Sequence, residues 1–262
     1  MVKNKGVVFY WNNHNQINGS LYYAYEYSEY LKIPLYIINC SEHEKVLDAF
    51  NDKYHNPTLN IKFITITQLY TLQLSKTLVL DLHSFNKCKY FLTNKIFVFS
   101  NIEHDMFRYN DSREVTYFGN YSYQPHDIKC DLKLNLKIFK ILTTPTTPTI
   151  YVSYVSYNNK IKYLVDKLNI EHPIIYKNSN NITNNIFNIF TKLVYVHTSR
   201  DTNNRILIES FFYNKEIQII QDCNVNDSVM SRYRDLLNGD LDKYQISESC
   251  SIVKAMRGNN EN

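Results

Sequence analysis

This sequence predicts an α/β protein of two Rossmann-like domains, each built on a parallel sheet, with a cleft between them. Three observations predict it. Short apolar runs rich in β-branched and aromatic residues alternate with amphipathic runs along the 262 residues. The alternation breaks at residues 143–149, where two prolines stand among threonines, and then starts again. Hydrophobic residues make up 44% of the chain, enough for a sizeable core and too many for a disordered one.

Taken in order, KGVVFYW at residues 5–11 reads as a buried strand, because it is apolar and rich in β-formers. A polar loop follows, and Ser20 is the expected N-cap of a helix over 21–32. Strands are expected at 35–39, 61–66, 76–83 and 95–100, with helices at 42–54 and 68–74 between them. Residues 115–119 read as a further strand, whereas 131–142 lose their rhythm and leave helix and strand both open. Residues 146–149 are the expected linker, separating a first domain over 1–145 from a second over 150–262 whose last helices are expected to pack back on the first. The second domain reads as strand 150–156, helix 158–168, strand 173–177, helix 182–192, strand 193–197, helix 203–213, strand 216–220 and helix 227–238.

Composition excludes several function classes. The net charge of +4 is spread along the chain, with no basic block of the kind a dedicated nucleic-acid arm carries. The five cysteines form no C-x-x-C pair and their number is odd, so free thiols in a reducing cytoplasm are expected. The eight histidines show no metal-binding spacing, so neither a metal nor a bound cofactor is expected. No apolar stretch is long enough to span a bilayer, and no signal peptide opens the chain. Only five glycines exist, at 6, 19, 119, 239 and 258, and none belongs to a G-x-G-x-x-G or P-loop pattern. Redox dinucleotides and P-loop chemistry are thereby disfavoured, because both need backbone to approach phosphate through a glycine-rich turn.

The segment HTSRDTNNRILIESFFYNKEI at 197–217 is the most informative. A strand ends in polar residues and a helix begins, so the loop sits where α/β sheets bind ligands. Arg200 and Arg205 flank the helix start, where unpaired N–H groups and the dipole already favour anions. Their guanidinium forks suit phosphate. Glu209 lies four residues after Arg205 on the same helix face, where a carboxylate can accept from both hydroxyls of a ribose. A diphosphate and a ribose together describe a nucleotide-sugar.

This stretch resembles the donor-binding motif of retaining GT-B glycosyltransferases of the glycogen-synthase and sucrose-synthase kind. That motif runs P-S-x-x-E, then seven residues to a second Glu, then A-x-x-x-G-x-P-V. Thr198 stands at the Ser, Asp201 at the first acidic position, Glu209 at the second, Ser210 at the small residue, and Asn214 and Ile217 at the Gly and Val. His197 and Glu216 replace the two prolines. The resemblance implies a GT-B architecture and a nucleotide-diphosphate sugar as donor substrate. It places Glu209 on the ribose, Arg200 or Arg205 on the diphosphate and Asp201 on the sugar, with Asn203 at the helix start. It also implies that the first domain binds the acceptor, with Gly19 and Ser20 approaching the donor phosphates.

Asp81 and His83 end one expected strand, and Glu103 and His104 follow the next, so all four are candidates to deprotonate an acceptor hydroxyl. Each has a plainer explanation as a hydrogen-bonded strand end. The acceptor itself is not written in the sequence. A hydroxymethylated base in DNA is one that fits, since viral glycosyltransferases of similar fold modify such bases, and small size with AT-rich usage suits a viral protein in the host cytoplasm. The alternative from a different class is a non-catalytic nucleotide- or glycan-binding module derived from a glycosyltransferase. Asp201 and Asn214, which depart from the motif, motivate it.

Overall fold

The computed structural model describes residues 4–11, 17–58, 60–92, 95–100, 114–119, 128–143, 145–154, 163–164, 166–168, 174–178, 184–197, 204–221 and 228–258. The chain is α/β with two parallel, Rossmann-like sheets. The first contains β1 (Lys5–Tyr10), β2 (Leu35–Ile38), β3 (Ile61–Ile64), β4 (Lys76–Val79), β5 (Lys95–Ser100), β6 (Val115–Gly119) and β7 (Ile128–Lys129). Its strand order is β3-β2-β1-β4-β5-β6-β7. The order therefore reverses beside β1, and the switch point lies between β1 and β4. The second sheet contains β8 (Ile150–Tyr154), β9 (Ile174–Asn178), β10 (Lys192–His197) and β11 (Glu216–Gln221), ordered β11-β10-β8-β9.

Period-two alternation decides which core each side chain enters. Along β1, Val7 and Phe9, with Trp11 just beyond, face one core, while Val8 and Tyr10 face the other. Helices α1 (Gly19–Leu31) and α2 (His43–Lys53) cover the first face, and α3 (Ile66–Thr71) and α4 (Leu82–Cys88) cover the second. The first-face core does not stop at its own sheet. It continues into Tyr151, Leu193 and Tyr195 of the second sheet and into Ile206, Leu207 and Ile208 of α5 (Arg205–Phe212). One hydrophobic core thus joins the two sheets, whose outward faces keep small cores of their own.

Several elements differ from the sequence expectation. β3 stops at Ile64, because Thr65 and Gln68 form a reciprocal capping box that starts α3. β4 stops at Val79, because Asp81 Oδ1 accepts from Ser84 N at 2.6 Å and opens α4. The helix expected over 182–192 is a 3-10 turn, Asn184–Asn188, and Lys192 already belongs to β10. Three asparagines make this segment a poor helix, and buried Ile186, Phe187 and Phe190 fix it by packing instead. Residues 131–142 resolve into one 3-10 turn, Leu136–Ile138, with isolated bridges Tyr54↔Phe139 and Leu134↔Gln245. Residues 145–149 form neither helix nor strand, and most of the helix expected at 158–168 lies outside the described residues.

Two helices follow the second sheet, α6 (Ser228–Leu237) and α7 (Ser251–Arg257). The sequence expectation did not contain α7. It buries Ile252, Val253 and Met256 in the shared core. Lys5 Nζ donates to Met256 O at 2.8 Å and Lys76 Nζ to Ala255 O at 2.8 Å, so two lysines at the amino ends of β1 and β4 satisfy its terminal carbonyls.

Candidate functional site

The site is built where α1 of the first sheet meets α5 of the second. Asn204 Oδ1 accepts from Leu207 N at 3.2 Å and caps α5, so Arg205 occupies its first turn. At the other helix, Asn18 Oδ1 accepts from Leu21 N at 3.0 Å. Asn18 is thus the N-cap of α1, and Ser20, expected in that role, sits with Gly19 in the first turn. A Cβ on Gly19 would stand 3.9 Å from Arg205 Cδ, so the Arg205 side chain extends from α5 to the amino end of α1. Within a helix the first N–H groups lack carbonyl partners, which makes this meeting point electropositive.

Beneath the helix ends lies a buried charge cluster. Arg205 Nε bonds to Glu209 Oε1 and Arg205 Nη2 to Glu26 Oε1. Lys53 Nζ donates to Glu209 Oε2 at 2.8 Å. Glu26 also accepts from the Tyr54 hydroxyl at 2.6 Å and from Asn135 N at 3.1 Å. Both carboxylates are 0% exposed, Lys53 4% and Arg205 6%, so two anions and two cations are removed from water together. Aromatic rings line the cluster. The Arg205 guanidinium carbon lies 4.8 Å from the Tyr23 ring centroid and 5.2 Å from that of Tyr22, and Lys53 Nζ lies 4.8 Å from Tyr22.

The electrostatics follow from burial and pairing. Burial alone would raise the Glu209 carboxyl, but the Arg205 and Lys53 charges overcome it and hold Glu209 below the usual carboxylate range. Burial lowers the Lys53 ammonium, with Glu209 opposing. Burial also keeps the Tyr23 and Tyr54 hydroxyls protonated well beyond their ordinary range. Two buried donors here, Arg205 Nη1 and the Tyr23 hydroxyl, have no hydrogen-bond partner among the described residues. An unmet donor at low dielectric is costly, and both would gain from an incoming acceptor oxygen.

The residues singled out from the sequence divide into three groups. Gly19, Arg205 and Glu209 come together where α1 meets α5, and Ser20 follows Gly19 in the first turn of α1. Glu209 spends both oxygens on Arg205 and Lys53 and is fully buried, so neither is open to ribose hydroxyls in this arrangement. Asp81 and His83 lie apart from them, on the opposite face of the first sheet. Asp81 is an N-cap, and His83 lies in the first turn of α4 and not at a strand end. Arg200, Asp201, Asn203, Glu103 and His104 lie outside the described residues. Sequence reasoning missed Glu26, Lys53 and Tyr54. The available signal was a lone carboxylate, Glu26, inside the otherwise apolar run LYYAYEY.

No family model, curated protein or solved structure matches this chain. Among the described residues, no group of three His, Cys, Asp or Glu side chains could hold a metal ion. No described helix is long and apolar enough to cross a membrane.

Proposed function

We propose that the chain is a glycosyltransferase of the two-lobed GT-B type, moving a sugar from a nucleotide-diphosphate donor to an acceptor hydroxyl. The observation that carries this proposal is the Arg205 side chain reaching the amino end of α1 from the first turn of α5, with its Nη1 and the Tyr23 hydroxyl unpartnered. Helix amino ends, a guanidinium and a hydroxyl are all donors, and together they suit a diphosphate. Glu26 and Glu209 then fix the arginine, and the diphosphate takes its remaining edge. In the transfer, the bond from the sugar's anomeric carbon to the diphosphate oxygen breaks and the acceptor oxygen forms the new one. The nucleoside diphosphate leaves with the bonding electrons, and the acceptor proton passes to a base. Neither base candidate in described residues stands beside this donor site: Asp81 is occupied by Ser84, and the exposed His83 ring lies on the other face of the first sheet.

The test is a calorimetric panel of nucleoside diphosphates and their sugars, with Ser20→Asp as the variant. Aspartate in the first turn favours the helix, so the fold is retained, but its charge repels a diphosphate. Binding by the parent chain and loss in the variant are expected. If no nucleotide in the panel binds the parent chain, the proposal fails. A non-catalytic binding module is the second reading, favoured by the engagement of both Glu209 oxygens. Slow hydrolysis of a bound nucleotide-sugar would exclude it.

A further inference from the structure

We propose that the switch point of the first sheet, between the carboxyl ends of β1 and β4, is a second ligand site that takes a neutral pyranose ring. The site does not rest on the proposed function, since it lies on the face of the first sheet away from the α1–α5 contact. Ligands of open α/β sheets bind outside the strand ends where the order reverses, and this sheet reverses at that point. Two strand ends and one helix start contribute side chains there. Tyr10 ends β1, Asn39 follows β2, and His83 lies in α4 after β4. The His83 ring stands edge-on to Tyr10 at a centroid distance of 6.0 Å and an angle of 67°. Asn39 Nδ2 donates to the Tyr10 hydroxyl at 3.4 Å.

The supporting bonds make this a rigid platform. Tyr10 N donates to Ser84 Oγ at 2.9 Å, and the Ser84 hydroxyl donates to Asp81 Oδ2 at 2.8 Å. That chain of bonds ties β1 to the start of α4 through a fully buried serine. On the other side, Asn39 Oδ1 accepts from Ile66 N at 3.3 Å and ties β2 to α3. Asn39 also holds φ at +55°, a left-handed conformation that asparagine tolerates better than most residues. Such a conformation is retained where the surroundings fix it, often at binding sites.

The chemistry of the platform selects the ligand. It offers an aromatic ring, a carboxamide and an imidazole, with His83 and Asn39 exposed and Tyr10 half-buried. Among the described residues, no lysine or arginine bonds to any of the three, so nothing here suits a phosphate. Asp81 turns both carboxylate oxygens to Ser84. A pyranose presents an apolar C–H face to stack on a ring and hydroxyls that pair with amide and imidazole groups. It is the ligand class that uses all three side chains.

Saturation-transfer NMR and calorimetry with methyl glucoside, methyl galactoside and methyl mannoside test the site on the full chain. Tyr10→Ala removes the ring. Asn39→Gly removes the carboxamide while keeping the left-handed backbone conformation accessible. At least one glycoside binds the parent chain, and each variant weakens it about tenfold. Nucleoside diphosphates, measured in parallel, bind the variants as they bind the parent. The site is refuted if none of the three glycosides binds, or if both variants bind as tightly as the parent. Glycoside binding without any nucleotide binding leaves this site standing and removes the transferase proposal.

Discussion

The buried cluster makes its strongest claim through Glu209→Leu. Glu209 is 0% exposed and bonds two cations, so the substitution leaves Lys53 Nζ, itself 4% exposed, without its carboxylate. Arg205 keeps Glu26. Removing one partner from a buried ion pair costs about 3–5 kcal/mol, since the other charge stays desolvated and unpaired. The upper part of that range applies here, because Lys53 is only 4% exposed and its ammonium stays desolvated. Lys53→Met belongs at the lower end, about 3 kcal/mol, because Arg205 still pairs Glu209. The double variant removes both charges and fills their space with apolar atoms, so it is expected to regain about 2–3 kcal/mol over the sum of the single costs. Urea unfolding reads all three. With a slope of about 3 kcal/mol per M, the single variants shift the midpoint by roughly 1–1.7 M. Single-variant costs below about 0.5 kcal/mol, or strict additivity in the double, would refute the view that these charges depend on one another.

Three further outcomes are expected. Glu209 is held below its ordinary value of 4.5, so its contribution to stability is full above that pH and is lost as pH falls through the depressed folded value. Urea midpoints measured from neutral to acid pH should fall less steeply in Glu209→Gln than in the parent, and equal slopes would contradict this. Gly6→Ala places a Cβ 2.5 Å from Tyr36 Cε2 in a packed core, so a loss of about 1–3 kcal/mol is expected by thermal unfolding. Asp81→Ala removes the α4 cap and the acceptor of the Ser84 hydroxyl, with an expected cost of about 1–2 kcal/mol; an unchanged melting temperature would deny the cap its role.

The alternation of apolar runs determined most of the strands and the parallel arrangement. β1, β2, β5 and β10 are short runs of β-branched and aromatic residues, and burial on both faces is local information that such runs carry. The helix α5 and the i, i+4 pairing of Arg205 with Glu209 were also legible, because helical spacing fixes which residues share a face. The boundary errors have local causes as well. Asp81 and Thr65 cap helices immediately after strands, and a cap interrupts an apolar run without altering its composition.

Only the tertiary structure decided what the Arg205–Glu209 pair does. A sequence shows a charged pair on one helix face, but not what is brought against that face. Glu26 lies 179 residues from Arg205 and Lys53 lies 156 from Glu209, and no local pattern links positions so far apart. Packing α1 and α2 against α5 over one shared core removed that face from water. Charges in such a place must find partners, so a pair that sequence alone reads as open to ligand became half of a buried joint between the two sheets.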